Sequence, residues 1–86
     1  MKNGLEVNEY GTKRWYLNGK PHRVDGPAVE YADGAKYWFL NDKRHRIDGP
    51  AIEDANGDKY WYLNGEQLNC KTQKEFEQLM RLKSFW

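Results

Sequence analysis

Two short stretches carry the residue types of acid–base or metal chemistry: His22-Arg23-Val24-Asp25 and His45-Arg46-Ile47-Asp48. An imidazole and a carboxylate within one loop could exchange a proton or begin a metal site. Neither reaction can be completed from what accompanies them. No nucleophile recurs with the pair, and one His plus one Asp is too few ligands for a stable ion site. A catalytic set is normally needed once, whereas a structural lock is needed in every unit. The pattern therefore points to loop-locking hydrogen bonds and salt bridges between units, with a partner-binding edge as the alternative. Cys70 is the single cysteine, so no internal disulfide is expected, and no Cys/His cluster has zinc spacing. No metal, no cofactor and no catalytic residue are expected, and an enzyme is the least favoured class.

Binding chemistry is better represented. Asp42-Lys43-Arg44-His45-Arg46 is a local basic run, and Asp42 stands where the other units carry Gly19 and Gly65. Aromatic side chains recur just before it in register. Strand alternation places Trp15, Trp38 and Trp61 with Leu17, Leu40 and Leu63 on one face. Tyr16, Phe39 and Tyr62, flanked by Tyr37 and Tyr60, fall on the other. The Trp/Leu face is expected to be packed, with a helix over part of it, leaving the Tyr/Phe ladder partly exposed. Cross-strand aromatic stacking is a sufficient structural reason for that ladder. Tyr and Arg also dominate interface hot spots, so the candidate partner-binding set is Tyr16, Tyr37, Phe39, Tyr60, Tyr62, Lys43, Arg44 and Arg46. Trp15, Trp38, Trp61, His22, Arg23, Asp25, His45, Arg46 and Asp48 form the repeat-structural set.

The elements that must position these residues follow from a 23-residue register that aligns Gly11, Gly34 and Gly57 without gaps. Such fixed-period self-similarity marks a stack of like units. Each unit holds an aromatic segment (12–17, 35–40, 58–63). Asn18-Gly19 and Asn64-Gly65 follow as turn dipeptides. A second strand begins after Pro27 or Pro50, as Ala28-Val29-Glu30-Tyr31 and Ala51-Ile52-Glu53-Asp54, where proline costs no ladder bond. Asp33-Gly34 and Asn56-Gly57 predict tight hairpins into the next unit, and residues 18–26 and 41–49 predict longer loops. The fold expected is a mainly β, antiparallel hairpin meander with a C-terminal helical cap in one domain. Its parts are a lead-in strand at 4–10, repeats at 11–33 and 34–56, a partial repeat at 57–71 and a helical segment at 72–83.

In the third unit Leu68, Asn69 and Lys71 replace His, Arg and Asp, and Cys70 falls where Val24 and Ile47 stood. Cys70 reads as a small buried hydrophobe. Thr72-Gln73-Lys74-Glu75 is a capping box opening a helix over about 73–83. Phe76, Leu79 and Met80, with Leu82 beside them, form an apolar stripe that needs a partner. The stripe either caps the open end of the sheet or, with Phe85 and Trp86, forms a homodimer or partner surface.

From Asn18-Gly19-Lys20-Pro21-His22-Arg23 and its copies, the sequence resembles the MORN repeat over most of residues 4–69. It departs at Arg23 and Arg46, which stand where that motif has glycine, and at Asp-Gly-Pro-Ala, which replaces the next one. This variant is similar to repeats of small tailed-bacteriophage proteins. The resemblance implies a hairpin meander, an adaptor-like or inhibitory role, and no catalytic residues. MORN repeats are interaction modules to which lipid binding is sometimes attributed.

Composition narrows the function classes. Four Trp, six Tyr and three Phe carry the apolar area, each aromatic burying roughly 150–250 Å². The mean hydropathy of −1.10 alone would suit disorder, but disordered chains are poor in aromatics. Fourteen Lys/Arg against thirteen Asp/Glu give +1, which argues against a DNA mimic, gives no case for bulk nucleic-acid binding and disfavours a lipid surface. No signal-peptide core and no membrane-length apolar run is seen, so a reducing cytoplasm is expected, that of the host bacterium for a phage-encoded chain. The leading expectation is a non-enzymatic module that binds and modulates a host protein, such as a defence or nucleic-acid-processing enzyme. A single-stranded nucleic-acid binder using the aromatic face and basic loop is the alternative.

Overall fold

The computed structural model describes residues 3–83. Eleven strands run in chain order: β1 Gly4–Val7, β2 Lys13–Leu17, β3 Lys20–Pro21, β4 Val29–Glu30, β5 Lys36–Tyr37, β6 Phe39–Leu40, β7 Lys43–Arg44, β8 Ile52–Glu53, β9 Lys59–Tyr60, β10 Tyr62–Leu63 and β11 Glu66–Gln67. Among the described residues a single helix, α1, spans Gln73–Lys83. The fold is an antiparallel β-hairpin meander with a C-terminal helix. The main sheet has the order β1-β2-β4-β5-β8-β9, with β3 paired to β2, while β6–β7 and β10–β11 form two-stranded hairpins beside it. The molecule is a plate of 44 × 30 × 17 Å.

Two turn types alternate along the plate. Asn8, Tyr31 and Asp54 each accept from the glycine three residues on, Gly11, Gly34 and Gly57, at 2.9–3.1 Å. Those glycines have φ of 89°, 99° and 95°. This is the three-residue hairpin loop with a left-handed glycine, one residue longer than Asp-Gly alone suggests. At the opposite edge both central residues are left-handed: Asn18/Gly19, Asn41/Asp42 and Asn64/Gly65. That geometry matches strand twist, and it forces Asp42 to φ 70° without a glycine's freedom.

The stretches expected to be long loops contain β3 and β7, two-residue strands that close a hairpin onto the aromatic strand before the chain bends away. The second strands, expected over four residues, keep ladder geometry for two. Each aromatic strand changes partner near its middle. Trp38 donates to Ala51 O at 2.8 Å, and beyond it β6 leaves the main sheet for its own hairpin.

Register sorts the faces. One presents Lys13, Glu30, Lys36, Glu53 and Lys59 directly opposite one another across successive strands, an alternating charge ladder that favours this alignment. The other presents Arg14, Val29, Tyr37, Ile52 and Tyr60 in the same way. Val29 and Ile52 are buried there; Ala28 and Ala51, one residue earlier and so of opposite parity, are fully buried as well. The Trp/Leu face is less uniformly packed than expected: Trp15 and Trp38 are half-buried and Leu17 is exposed. Only the third unit buries its Trp deeply, because Phe76 of α1, with Leu79 and Met80, packs on Trp61, Leu68 and Cys70.

The capping box forms: Glu75 N donates to Thr72 Oγ1 at 3.2 Å, and Glu75 Oε1 reaches back to Lys71 N at 3.3 Å. Gln73 ties the helix down by accepting from Trp61 Nε1 at 2.8 Å and donating to Ile47 O at 3.1 Å. The α1 stripe is thus turned onto the sheet end. Phe85 and Trp86, the rest of the candidate dimer surface, lie outside the described residues.

Candidate interaction surface

The His-Arg-x-Asp stretches divide into two devices. His22 Nδ1 accepts from Asn41 N at 2.8 Å, and His45 Nδ1 accepts from Asn64 N at 3.0 Å. Each histidine thereby clasps the turn of the following unit. At the head of the stack, Asn3 Oδ1 accepts from Asn18 N at 2.7 Å and takes the histidine's part. The arginine side chains work inside their own unit. Arg23 Nε donates to Asp25 and its Nη1 to Pro27 O and Glu30; Arg46 does the same with Asp48, Pro50 O and Glu53 at 2.9–3.1 Å. The salt bridges expected between units are therefore intra-unit; what crosses the boundary is each histidine ring together with the arginine main chain, Arg23 N donating to Phe39 O at 3.1 Å and Arg46 N to Tyr62 O at 3.3 Å.

Each guanidinium also lies over a tryptophan ring. Arg23 Cζ is 3.9 Å from the Trp15 ring centroid and Arg46 Cζ is 3.8 Å from that of Trp38. Gly26 and Gly49 close the other side. A Cβ at Gly49 would stand 2.5 Å from Arg46 Cζ, and one at Gly26 2.9 Å from Arg23 Cζ. The glycine of Asp-Gly-Pro is needed for space, not for an unusual φ. In the third unit Asn69 stands where the arginine was, and α1 covers the tryptophan instead.

The basic run consequently does not form a patch. Asp42 occupies the turn, His45 the clasp and Arg46 the Trp38 stack. Lys43 pairs with Leu40 and Arg44 with Phe39, so these two cations point to opposite faces. Arg46 therefore belongs to the structural set and not to the aromatic face where the sequence also placed it.

The Tyr/Phe side forms a continuous surface. Tyr31 and Tyr37 meet edge-to-face at 5.2 Å, and Tyr37 stacks with Phe39 at 6.4 Å. Arg44 Cζ lies 6.0 Å from the Tyr37 centroid and 5.4 Å from that of Tyr62 in the next unit. Arg14 covers Tyr31 at 5.8 Å. Tyr16 pairs with Pro21 in the first hairpin and Tyr60 with Ile52 at the far edge. Tyr31 and Arg14 are members that the sequence-derived set lacks. Their signal was available, since Tyr31 alternates with Val29 and Arg14 occupies the register position of Tyr37 and Tyr60.

Burial, reinforced by Asp54 and neighbouring Tyr31 and opposed by Arg44, holds the Tyr37 hydroxyl above its ordinary pKa, so it remains a neutral donor and acceptor. Cys70 is likewise raised, by burial and then by Glu75, which makes it a poor thiolate. Among the described residues no three His, Cys, Asp or Glu side chains converge on a metal-sized site. What this arrangement offers chemically is recognition: half-exposed rings, one bridging guanidinium and flanking carboxylates.

No family model, no curated protein and no solved structure matches the chain. No helix among the described residues is long and apolar enough to cross a membrane.

Proposed function

We propose that this chain is a non-enzymatic protein-interaction module whose docking surface is the Tyr31–Tyr37–Phe39–Arg44–Tyr62 face. The single observation carrying the reading is Arg44 held between Tyr37 and Tyr62 of successive units, within a run of half-buried and exposed aromatics. Rigid tyrosine and phenylalanine rings flanking an exposed arginine match the residue types enriched in interface hot spots. The partner is a bacterial protein and the site of action the bacterial cytoplasm, with the chain acting as a phage-encoded inhibitor of a defence or nucleic-acid-processing enzyme. That part of the reading rests on the repeat motif's resemblance to small phage proteins.

The test is capture from bacterial lysate followed by binding to the purified captured protein. Wild type and Lys36→Ala, altered on the opposite face, should bind alike, whereas Arg44→Glu with Phe39→Ala should lose the partner. Expression of the chain in cells with active restriction or CRISPR immunity should raise phage plating, and that variant should not. Salt-dependent binding of single-stranded DNA or RNA by the same face, with no protein captured, would instead support the nucleic-acid reading.

A further inference from the structure

The third unit lacks a strand. In the first two, the Pro-Ala-(Val/Ile)-Glu segment lies beside its own aromatic strand: Trp15 N donates to Ala28 O and Trp38 N to Ala51 O, both at 2.8 Å. Past Cys70 the chain turns into α1, so β9 is left as the terminal strand of the main sheet. Trp61 occupies the position of Trp15 and Trp38, yet no carbonyl among the described residues accepts from its N–H. By strand parity the Lys59 N–H faces the same open side.

The side chains at this edge are equally unfinished. The ladder Lys13–Glu30–Lys36–Glu53–Lys59 ends on a lysine, where its alternation calls for a carboxylate next. On the other face Arg14 is followed by Val29 and Tyr37 by Ile52, but Tyr60, 36% exposed, has nothing beyond it. A cleft of about 520 Å³ opens there between Lys59–Tyr60 and the Gln67–Lys71 segment.

We propose that the free edge of β9 accepts an extended segment of a protein partner reading Ala-(Val or Ile)-Glu, added antiparallel as the strand the third unit lacks. The alanine carbonyl receives the Trp61 N–H, the β-branched residue covers Tyr60 and the glutamate faces Lys59. Main-chain bonds supply affinity and the alternating side chains specificity, as in other strand additions. This edge is separate from the aromatic face: neither Arg44 nor Phe39 contributes to it.

The probe is a capped peptide, Gly-Pro-Ala-Ile-Glu-Asp, titrated into the full chain by NMR. Saturable amide shifts should centre on Lys59, Tyr60 and Trp61, and hydrogen exchange at the Trp61 amide should slow. Replacing the peptide Glu by Lys should weaken binding about tenfold, a swing of cross-strand charge pairs. Lys59→Glu should reverse that preference and Lys59→Gln should erase it, which keeps the test decisive if the former folds poorly. Shifts that do not saturate, or a preference unchanged in both variants, would overturn the proposal. Self-association of the free chain that Lys59→Gln abolishes would assign the edge to a second copy and also overturn it. Phe39→Ala with Arg44→Glu should bind the peptide as wild type does. Loss of peptide binding in that variant would refute the edge while leaving the aromatic-face reading intact.

Discussion

Gly49→Ala should unfold this protein more readily for a reason that disappears when Arg46 is absent. The Arg46 guanidinium is sandwiched between the Trp38 ring, 3.8 Å from its centroid, and the Gly49 backbone, with no room for a Cβ. Its contributions can be added roughly. The half-buried ring stack stabilises by about 1 kcal/mol, and the charge-assisted bond to Pro50 O by about 1.5 kcal/mol. The Glu53 ion pair, with side chains 20% and 34% exposed, adds only about 0.5 kcal/mol after solvent screening. The Asp48 pair is left out, since that carboxylate is 81% exposed. Arg46→Ala should therefore cost about 3 kcal/mol, and at 4–8 °C per kcal/mol for a domain this size the melting midpoint falls by about 15 °C. Gly49→Ala evicts the same guanidinium and should cost about 2 kcal/mol. In the Arg46→Ala background it should cost nothing within about 0.5 kcal/mol, giving a coupling near 2 kcal/mol in a double-mutant cycle. Urea denaturation followed by tryptophan fluorescence and circular dichroism measures all four corners. Additive losses would refute the sandwich. Gly26→Ala should be milder, because its Cβ would stand 2.9 Å from Arg23 Cζ and not 2.5 Å.

Three further outcomes are expected. Asp42→Gly relieves a left-handed aspartate at φ 70° and should raise stability by about 0.5–1 kcal/mol, read as an increased urea midpoint. Thr72→Ala removes the acceptor for Glu75 N and should cost about 1 kcal/mol, with helical circular dichroism lost before the strand signal on heating. Burial, and then Glu75, raise the Cys70 pKa above its ordinary value, so folding favours the protonated thiol. Its contribution is complete below the unfolded pKa and is lost as pH rises through the folded value. The melting midpoint should fall above about pH 9 less steeply in Cys70→Ala than in wild type, and iodoacetamide should alkylate Cys70 more slowly in native than in urea-unfolded protein.

The register of Gly11, Gly34 and Gly57 made the meander legible, because turn chemistry is written in single residues. So was α1, whose bounds follow from Thr72 and Glu75. The loops were harder to read: their residues obey no period, and alternation cannot be carried through them. Arg46 thus looked like a surface cation although it lies on Trp38. Val24 and Ile47 occupy the register position of Cys70, yet they are 83% and 66% exposed while Cys70 is buried. The difference is α1, whose apolar stripe packs on the third unit and which reaches the second through the Gln73 bond to Ile47 O. Gly26 and Gly49 were opaque for a different cause, since what excludes a side chain there is an arginine that arrives from three residues upstream.

The sandwich of Trp38, Arg46 and Gly49 closes each full unit with its own residues, while the histidine clasp needs only one backbone N–H from the next. A 23-residue segment therefore carries both its own lid and the acceptor that receives a successor. Inserting a copy of residues 34–56 after Asn56 should lengthen the plate by one step while leaving Asn3 at its head and α1 at its tail. The length of such a protein is quantised, and its aromatic face can be lengthened to fit a larger target without redesigning either end.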